Sequence, residues 1–208
     1  MKRFYLLAAA ALLLAPAASA QQVRYGLKLG ATYSKYTYHS NPQPNERLLA
    51  AGGGLMARYD LAPNHPLSLQ AELLYLRKGS SNERLHYYEV PVLTRLNLAA
   101  FNLPTLLRGH LNLNRFAVEV GPQLSSVFTP AHRHLTRSAD ARTSFDRSQY
   151  AAFQVGYAAG LSYEVPEGWS LTIRHTHDIT GVMRGNGVKG KRNAVFHAQV
   201  GYIFGGKQ

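Results

Sequence analysis

The 208-residue chain has no cysteine, so it holds together without disulfides and offers no thiolate to a metal or a nucleophilic site. Acid is scarce: 11 Asp and Glu stand against 23 Lys and Arg, a formal net charge of +12. Beyond the first 20 residues no run approaches the roughly 18 consecutive apolar residues of a membrane-spanning helix. No segment sustains the 3.6-residue apolar stripe of an amphipathic helix either. Together these absences argue against a small disulfide-stapled domain, a membrane-spanning helix beyond residue 20 and a helical bundle.

What is present begins with a leader. "MKRFYLLAAAALLLAPAASA" opens on Lys2 and Arg3, runs through an apolar stretch, and ends in Ala18-Ser19-Ala20. That is the pattern of an export signal, with residues 1–20 removed and 21–208 forming one domain. Without Lys2 and Arg3 the formal charge is +10.

From Val23 onward the chain alternates. In "VRYGLKLGATYSKY", Val23, Tyr25, Leu27, Leu29, Ala31 and Tyr33 share one face of an extended strand, and Arg24, Gly26, Lys28, Gly30, Thr32 and Ser34 the other. The same period of two returns near 49–60, 67–78, 85–98, 115–126, 150–164, 170–178 and 194–204, giving eight candidate strands. The connectors near 36–47, 127–149 and 180–192 are long, and those at 60–66 and 165–169 are short with the turn sequences "LAPNHP" and "VPEGW". This pattern suits an antiparallel up-and-down meander with one elaborated rim. The short "GSSNE" at 79–83 and the long connector 98–114 break it.

Periodicity does not say which face meets water. A soluble lipocalin-like carrier would turn the apolar face inward, and a membrane barrel would turn it out to lipid. The composition of the polar face favours the second. Gly26, Gly30, Gly52, Gly54, Gly121, Gly156, Gly160 and Gly201 lie on it, and glycine weakens a strand unless its surroundings are crowded. Lys28, Arg58, Lys78, Arg95 and Arg174 balance Glu72, Glu89, Glu119 and Glu164 closely enough for an ion-paired interior. Tyr25, Tyr33, Tyr36, Tyr38, Tyr59, Tyr75, Tyr163 and Trp169 lie near strand ends, as interfacial aromatic girdles require. The expected fold is therefore an all-β, eight-stranded antiparallel up-and-down transmembrane β-barrel. Glu72, Glu89, Arg58, Arg95, Glu119 and Arg174 are its expected interior ion network.

In order, "YGLKLGATYSK", "LQAELLYLRKGS", "YYEVPVLTRL", "FAVEVGPQLSSVF", "VGYAAGLSYE", "LTIRHTHDITGV" and the terminal "GYIF" carry a resemblance. The chain resembles the outer-membrane beta-barrel family common in Bacteroidetes and related bacteria, often labelled porin-family or PorT-like. The likeness spans Gln21 to Phe204 and is strongest at Glu72-Leu73-Leu74-Tyr75 with Lys78-Gly79, then Tyr88-Glu89-Val90-Pro91. It implies a small, OmpA-like barrel in the cell outer membrane. His175, where the family usually places an aromatic after its Arg, and the ending "FGGKQ", where the assembly machinery typically reads a terminal aromatic, depart from the pattern.

For function, no residue is singled out as catalytic, cofactor-binding or metal-ligating, and no cofactor is expected. His132 and His134, His175 and His177 with Asp178, and His197 do not supply the three or four converging ligands of a metal site. Some eight-stranded barrels are lipid A-modifying enzymes, and His175 with Ser162 and Ser170 in the same region keeps that alternative open until geometry is known. A narrow channel is a further alternative, although eight strands leave an interior that side chains fill. The expected role is structural or surface-interacting, by a monomer among outer-membrane lipids. Arg133, Arg137, Arg142, Arg147, Arg184, Lys189, Lys191 and Arg192 in the long loops suit lipopolysaccharide phosphates or an acidic extracellular partner. A periplasmic partner at 98–114 stays open, and nucleic acid is not expected.

Overall fold

The computed structural model describes residues 23–37, 47–62, 65–80, 84–100, 112–131, 150–183 and 191–204. The leader 1–20, Tyr38, His132, His134 and most of the long-loop cations lie outside the described residues.

Eight strands form a closed barrel in chain order, every neighbour antiparallel and the last paired back to the first. They are β1 (Val23–Thr37), β2 (Leu48–Asp60), β3 (Leu67–Gly79), β4 (Arg84–Asn97), β5 (Phe116–Ala131), β6 (Gln154–Glu164), β7 (Trp169–Asp178) and β8 (Arg192–Ile203). Short 3-10 turns at Leu98–Ala100 and Leu113–Arg115 bracket the β4–β5 connector. Among the described residues no helix is long and apolar enough to cross a membrane, which says nothing of strands.

The alternation resolves as the composition of the two faces indicates. Leu29 is 70 % exposed on the outer wall, and its neighbour Lys28 is 2 % exposed inside. On β3, Leu69, Leu73 and Tyr75 point out while Gln70, Glu72 and Leu74 are buried. Between the outward rings of Tyr25 and Tyr33 the strand advances about 26 Å at about 3.3 Å per residue. A tilt of about 40° turns that into about 20 Å across the membrane, in keeping with the thin apolar band of such barrels.

The interior glycines admit close packing of the curved wall. At Gly54 and Gly121 an added Cβ would run into the backbone carbonyls of Leu73 and Val92 on the neighbouring strands. A small barrel bends its strands so sharply that inward Cβ atoms collide there. Gly168, with φ +92°, takes the left-handed position in the tight β6–β7 turn.

Both ends of the barrel chain, Val23 and Ile203, lie at one rim with the connectors 61–66, 98–115 and 165–168. By the usual asymmetry of short periplasmic turns and longer outer loops, this rim is periplasmic and the opposite one faces outward. The outer connectors differ from the expectation in two places. β5 continues to Ala131, so the surface loop expected from residue 127 is strand for its first residues. β6 starts only at Gln154, because the preceding segment leaves the wall: Tyr150 bridges Met183, and the Ala151 N–H donates to the Val182 carbonyl at 2.9 Å.

Candidate functional site

The barrel interior is the most organised polar region of the molecule. Strand pleat brings one residue in two inward, and the register sets those residues at matching heights. Arg174 on β7 is the hub. It donates to both oxygens of Glu72 on β3, at 2.7 and 2.8 Å, and to Glu119 on β5 at 2.6 Å. Lys28 on β1 joins Glu72 at 2.8 Å. Glu119 continues to Arg95 on β4 at 2.9 Å, and Arg95 to Ser162 and Glu164 on β6 at 2.7 and 3.4 Å. Glu164 takes Arg58 of β2 at 2.6 Å. Arg58 donates on to Gln70 Oε1 at 2.9 and 3.0 Å, and the Gln70 amide donates back to Glu72. The circuit closes on itself and includes side chains from seven of the eight strands. Forked guanidinium donors suit this work: Arg174 and Arg95 each hold two carboxylates, and Arg58 holds Glu164 and the Gln70 amide oxygen.

Glu89 departs from the expected network. It is buried against Lys78 higher in the barrel, where Ser125 and Gln123 donate to the same carboxylate oxygen at 3.2 and 3.0 Å. Five of the six expected residues share one circuit, and Glu89 belongs to a separate pair. Lys28 and Glu164, which the circuit needs, were legible as inward charges. The Gln70 link was not, because a neutral amide carries no charge signal.

Above that pair the interior turns apolar. Tyr36, Leu85, Tyr87, Val127 and Val182 form a buried cluster with Tyr150 packed on it. Lys191 Nζ lies 3.9 Å from the centre of the Tyr36 ring, and Asn193 donates to the Tyr87 hydroxyl at 3.2 Å. Tyr36, expected in the outer girdle, is therefore an interior residue, 3 % exposed. Among the described residues, two layers of buried side chains occupy the lumen, the charged circuit and this cap.

Outside, aromatic pairs border both ends of the apolar wall. Phe116–Tyr163 and Trp169–Tyr202 lie at the periplasmic end, with ring centroids 4.9 and 5.0 Å apart. Tyr88–Phe128 and His175–Phe196 lie at the outer end, at 5.2 and 4.7 Å. The outer end also carries cations and imidazoles. Lys35, Arg77, His86, His175, His177 and Arg192 all have the outward parity of their strands, and Arg47 stacks on Tyr33 while donating to its hydroxyl at 2.8 Å. Among the described residues no carboxylate points outward at that end; Glu89 and Asp178 both face the lumen.

The model of the outer membrane protein beta-barrel domain matches residues 4–204. The chain belongs to that family. This outer-membrane barrel is similar in structure to Neisserial surface protein A, at 16 % identity over 86 % of this chain and 97 % of that one, with a TM-score of 0.49. It is similar to Yersinia pestis Ail, the attachment invasion locus protein, solved with the heparin analogue sucrose octasulfate: 14 % identity, 88 % and 99 % coverage, TM-score 0.48. OprG of Pseudomonas aeruginosa follows at 12 % identity, 88 % and 96 % coverage, TM-score 0.43. No curated protein matches.

The remaining candidates of this outer-membrane barrel separate across its wall. His175 and His177 face outward with rings 6.4 Å apart, whereas Asp178 is buried inside and is bonded by Asn193 at 3.0 Å. His197 also points into the lumen, within 3.0 Å of the Thr176 hydroxyl. Among the described residues no three His, Asp or Glu side chains gather as a metal site would require. Ser162 and Ser170 are buried in the lumen, on the opposite side of the sheet from His175. Those residues do not assemble a Ser–His pair.

Proposed function

We propose that this outer-membrane protein is a non-catalytic, monomeric surface barrel that engages lipopolysaccharide phosphates at its outer girdle. One observation carries the reading: a wall whose outer end presents Lys35, Arg47, Arg77 and Arg192 with three imidazoles and no outward carboxylate among the described residues. Cations at the level of anionic headgroups, next to rings that hold the depth, attract phosphate without leaving the membrane. The occupied lumen favours anchoring over transport. The reading includes export by the leader 1–20 and affiliation with the porin-family, PorT-like barrels of Bacteroidetes and relatives, on the Glu72-Leu73-Leu74-Tyr75 and Tyr88-Glu89-Val90-Pro91 segments.

The test is co-sedimentation of the refolded protein in phosphatidylcholine vesicles with lipopolysaccharide, before and after enzymatic removal of the lipid A phosphates. Binding is expected to fall at least 10-fold on dephosphorylation and in the K35Q/R77Q/R192Q variant. Equal binding in all three samples overturns the reading, and a steady single-channel conductance in a planar bilayer transfers the lead to the narrow channel.

A further inference from the structure

The periplasmic mouth of the barrel holds a cavity of about 400 Å³ that the outer-girdle reading does not use. Arg24, Arg58, Arg95 and Arg115 converge on it, against Asp60 and Glu164. Its floor is the charged circuit, so it forms a vestibule at the rim. Arg58 and Arg95 share the single carboxylate of Glu164 there, at 2.6 and 3.4 Å. Arg24 is held by Asp60 at 2.8 Å, and Arg115 reaches the Tyr163 hydroxyl at 3.1 Å. Among the lining residues guanidiniums outnumber carboxylates by two, and Glu167 acts on Arg115 from the adjoining turn without entering the lining. The deeper circuit does not remove that excess, because Lys28 and Arg174 are already balanced by Glu72 and Glu119.

In the rest of the lining, His65, Ser68 and three asparagines offer hydrogen bonds to an oxygen-rich solute, beside four apolar residues. His65 Nδ1 accepts the Leu67 N–H at 3.2 Å, which in the neutral ring assigns the proton to Nε2 as a donor. Asn112 and Asn114 approach from the β4–β5 connector and Val165 and Pro166 from the β6–β7 turn, so with His65 three periplasmic connectors border the same space above the barrel floor. A volume of this size is at the small end of ligand pockets.

We propose that this vestibule is a binding site for a small phosphomonoester entering from the periplasm. A monoester carries close to two negative charges at neutral pH and accepts several hydrogen bonds, matching a surplus of two guanidiniums that are already fixed by their neighbours. The site is independent of the outer girdle, at the opposite rim.

Isothermal titration of the refolded full-length protein in phosphatidylcholine vesicles, at 0.15 M NaCl, uses glucose 6-phosphate as the probe, with inorganic phosphate and succinate as comparisons. The expected result is saturable one-to-one binding of glucose 6-phosphate, weaker binding of both comparisons, and at least a 10-fold loss in R24Q/R115Q. Heat-modifiable gel mobility checks that the variant is folded, and Arg115→Gln alone, at a partly exposed residue of the rim, replaces it if it is not. Absence of saturable binding, affinity unchanged by the substitution, or succinate binding as tightly as the phosphate overturns the proposal.

Discussion

Replacing Arg174 with Met removes the hub of the interior circuit while keeping a side chain of similar length. Three charge-assisted hydrogen bonds are lost, to Glu72 at 2.7 and 2.8 Å and to Glu119 at 2.6 Å, between side chains no more than 1 % exposed. At about 1.5–3 kcal/mol for each bond to a charged group, the gross loss is about 5–9 kcal/mol. The carboxylates are not abandoned, because Glu72 keeps Lys28 at 2.8 Å and Glu119 keeps Arg95 at 2.9 Å. The net cost should therefore settle near the about 3–5 kcal/mol of a broken buried ion pair. Urea unfolding of the refolded protein, followed by the fluorescence of the single tryptophan and by heat-modifiable mobility, reads this as a midpoint lowered by about 2 M for a slope near 2 kcal/mol per M. Arg174→Lys should recover part of it, since charge returns without the fork. The cycle with Glu72→Gln should give a coupling of at least about 1 kcal/mol. An R174M variant within about 1 kcal/mol of the parent, with no measurable coupling to Glu72, would refute the circuit and leave the interior charges as independently solvated groups.

The separate Lys78–Glu89 pair should show the opposite economy: K78M/E89M is expected to be more stable than either single variant, because each single leaves one buried charge without its partner, and the same urea titration checks the order. At the β1–β8 seam, Gly30→Ala forces a Cβ onto the Ala198 carbonyl and should cost about 1–3 kcal/mol or slow closure measurably, read as the rate of appearance of the heat-modifiable band; refolding at the parent rate and stability would show that the seam relaxes.

The two faces of every strand were legible in the sequence because a one-residue step reverses a side chain, and few sequences sustain Leu27/Lys28/Leu29 alternation by chance. The interior charges were legible for the same reason: on an otherwise apolar strand, Glu72 between Ala71 and Leu73 has nowhere to go but the other face. Pairing was not. Which Glu an Arg meets depends on strand stagger, which period-two reasoning leaves undetermined, so parity alone does not separate Glu89 from the inward charges lower in the barrel. Tyr36 is a different kind of miss. Its even number gives it the parity of Lys28, Thr32 and Ser34, yet an aromatic near a strand end resembles a girdle residue. Parity decides its direction: Tyr36 points inward with Thr32 and Ser34. The vestibule had no local signature, since Arg24, Arg58, Arg95 and Arg115 come from four parts of the chain and meet only when the barrel closes.

Closure itself is where the two kinds of information meet. The charged circuit links β1 through β7 by side chains, and β8 contributes none of its members. The strand instead bonds its neighbour β7 through His197 to Thr176 and Asn193 to Asp178. The final seam, β8 to β1, runs from Gly26 opposite Ile203 to Thr37 opposite Arg192 as an uninterrupted backbone ladder. Glycines at Gly26, Gly30 and Gly201 let the two backbones approach there without inward side chains colliding. A last strand that had to find ion partners in a crowded lumen would pay their desolvation at the moment of insertion. β8 brings none of the circuit's charges to that cost: inside the barrel it adds His197 and Asn193, and its seam with β1 is a backbone ladder with Gly26, Gly30 and Gly201 on the inward face.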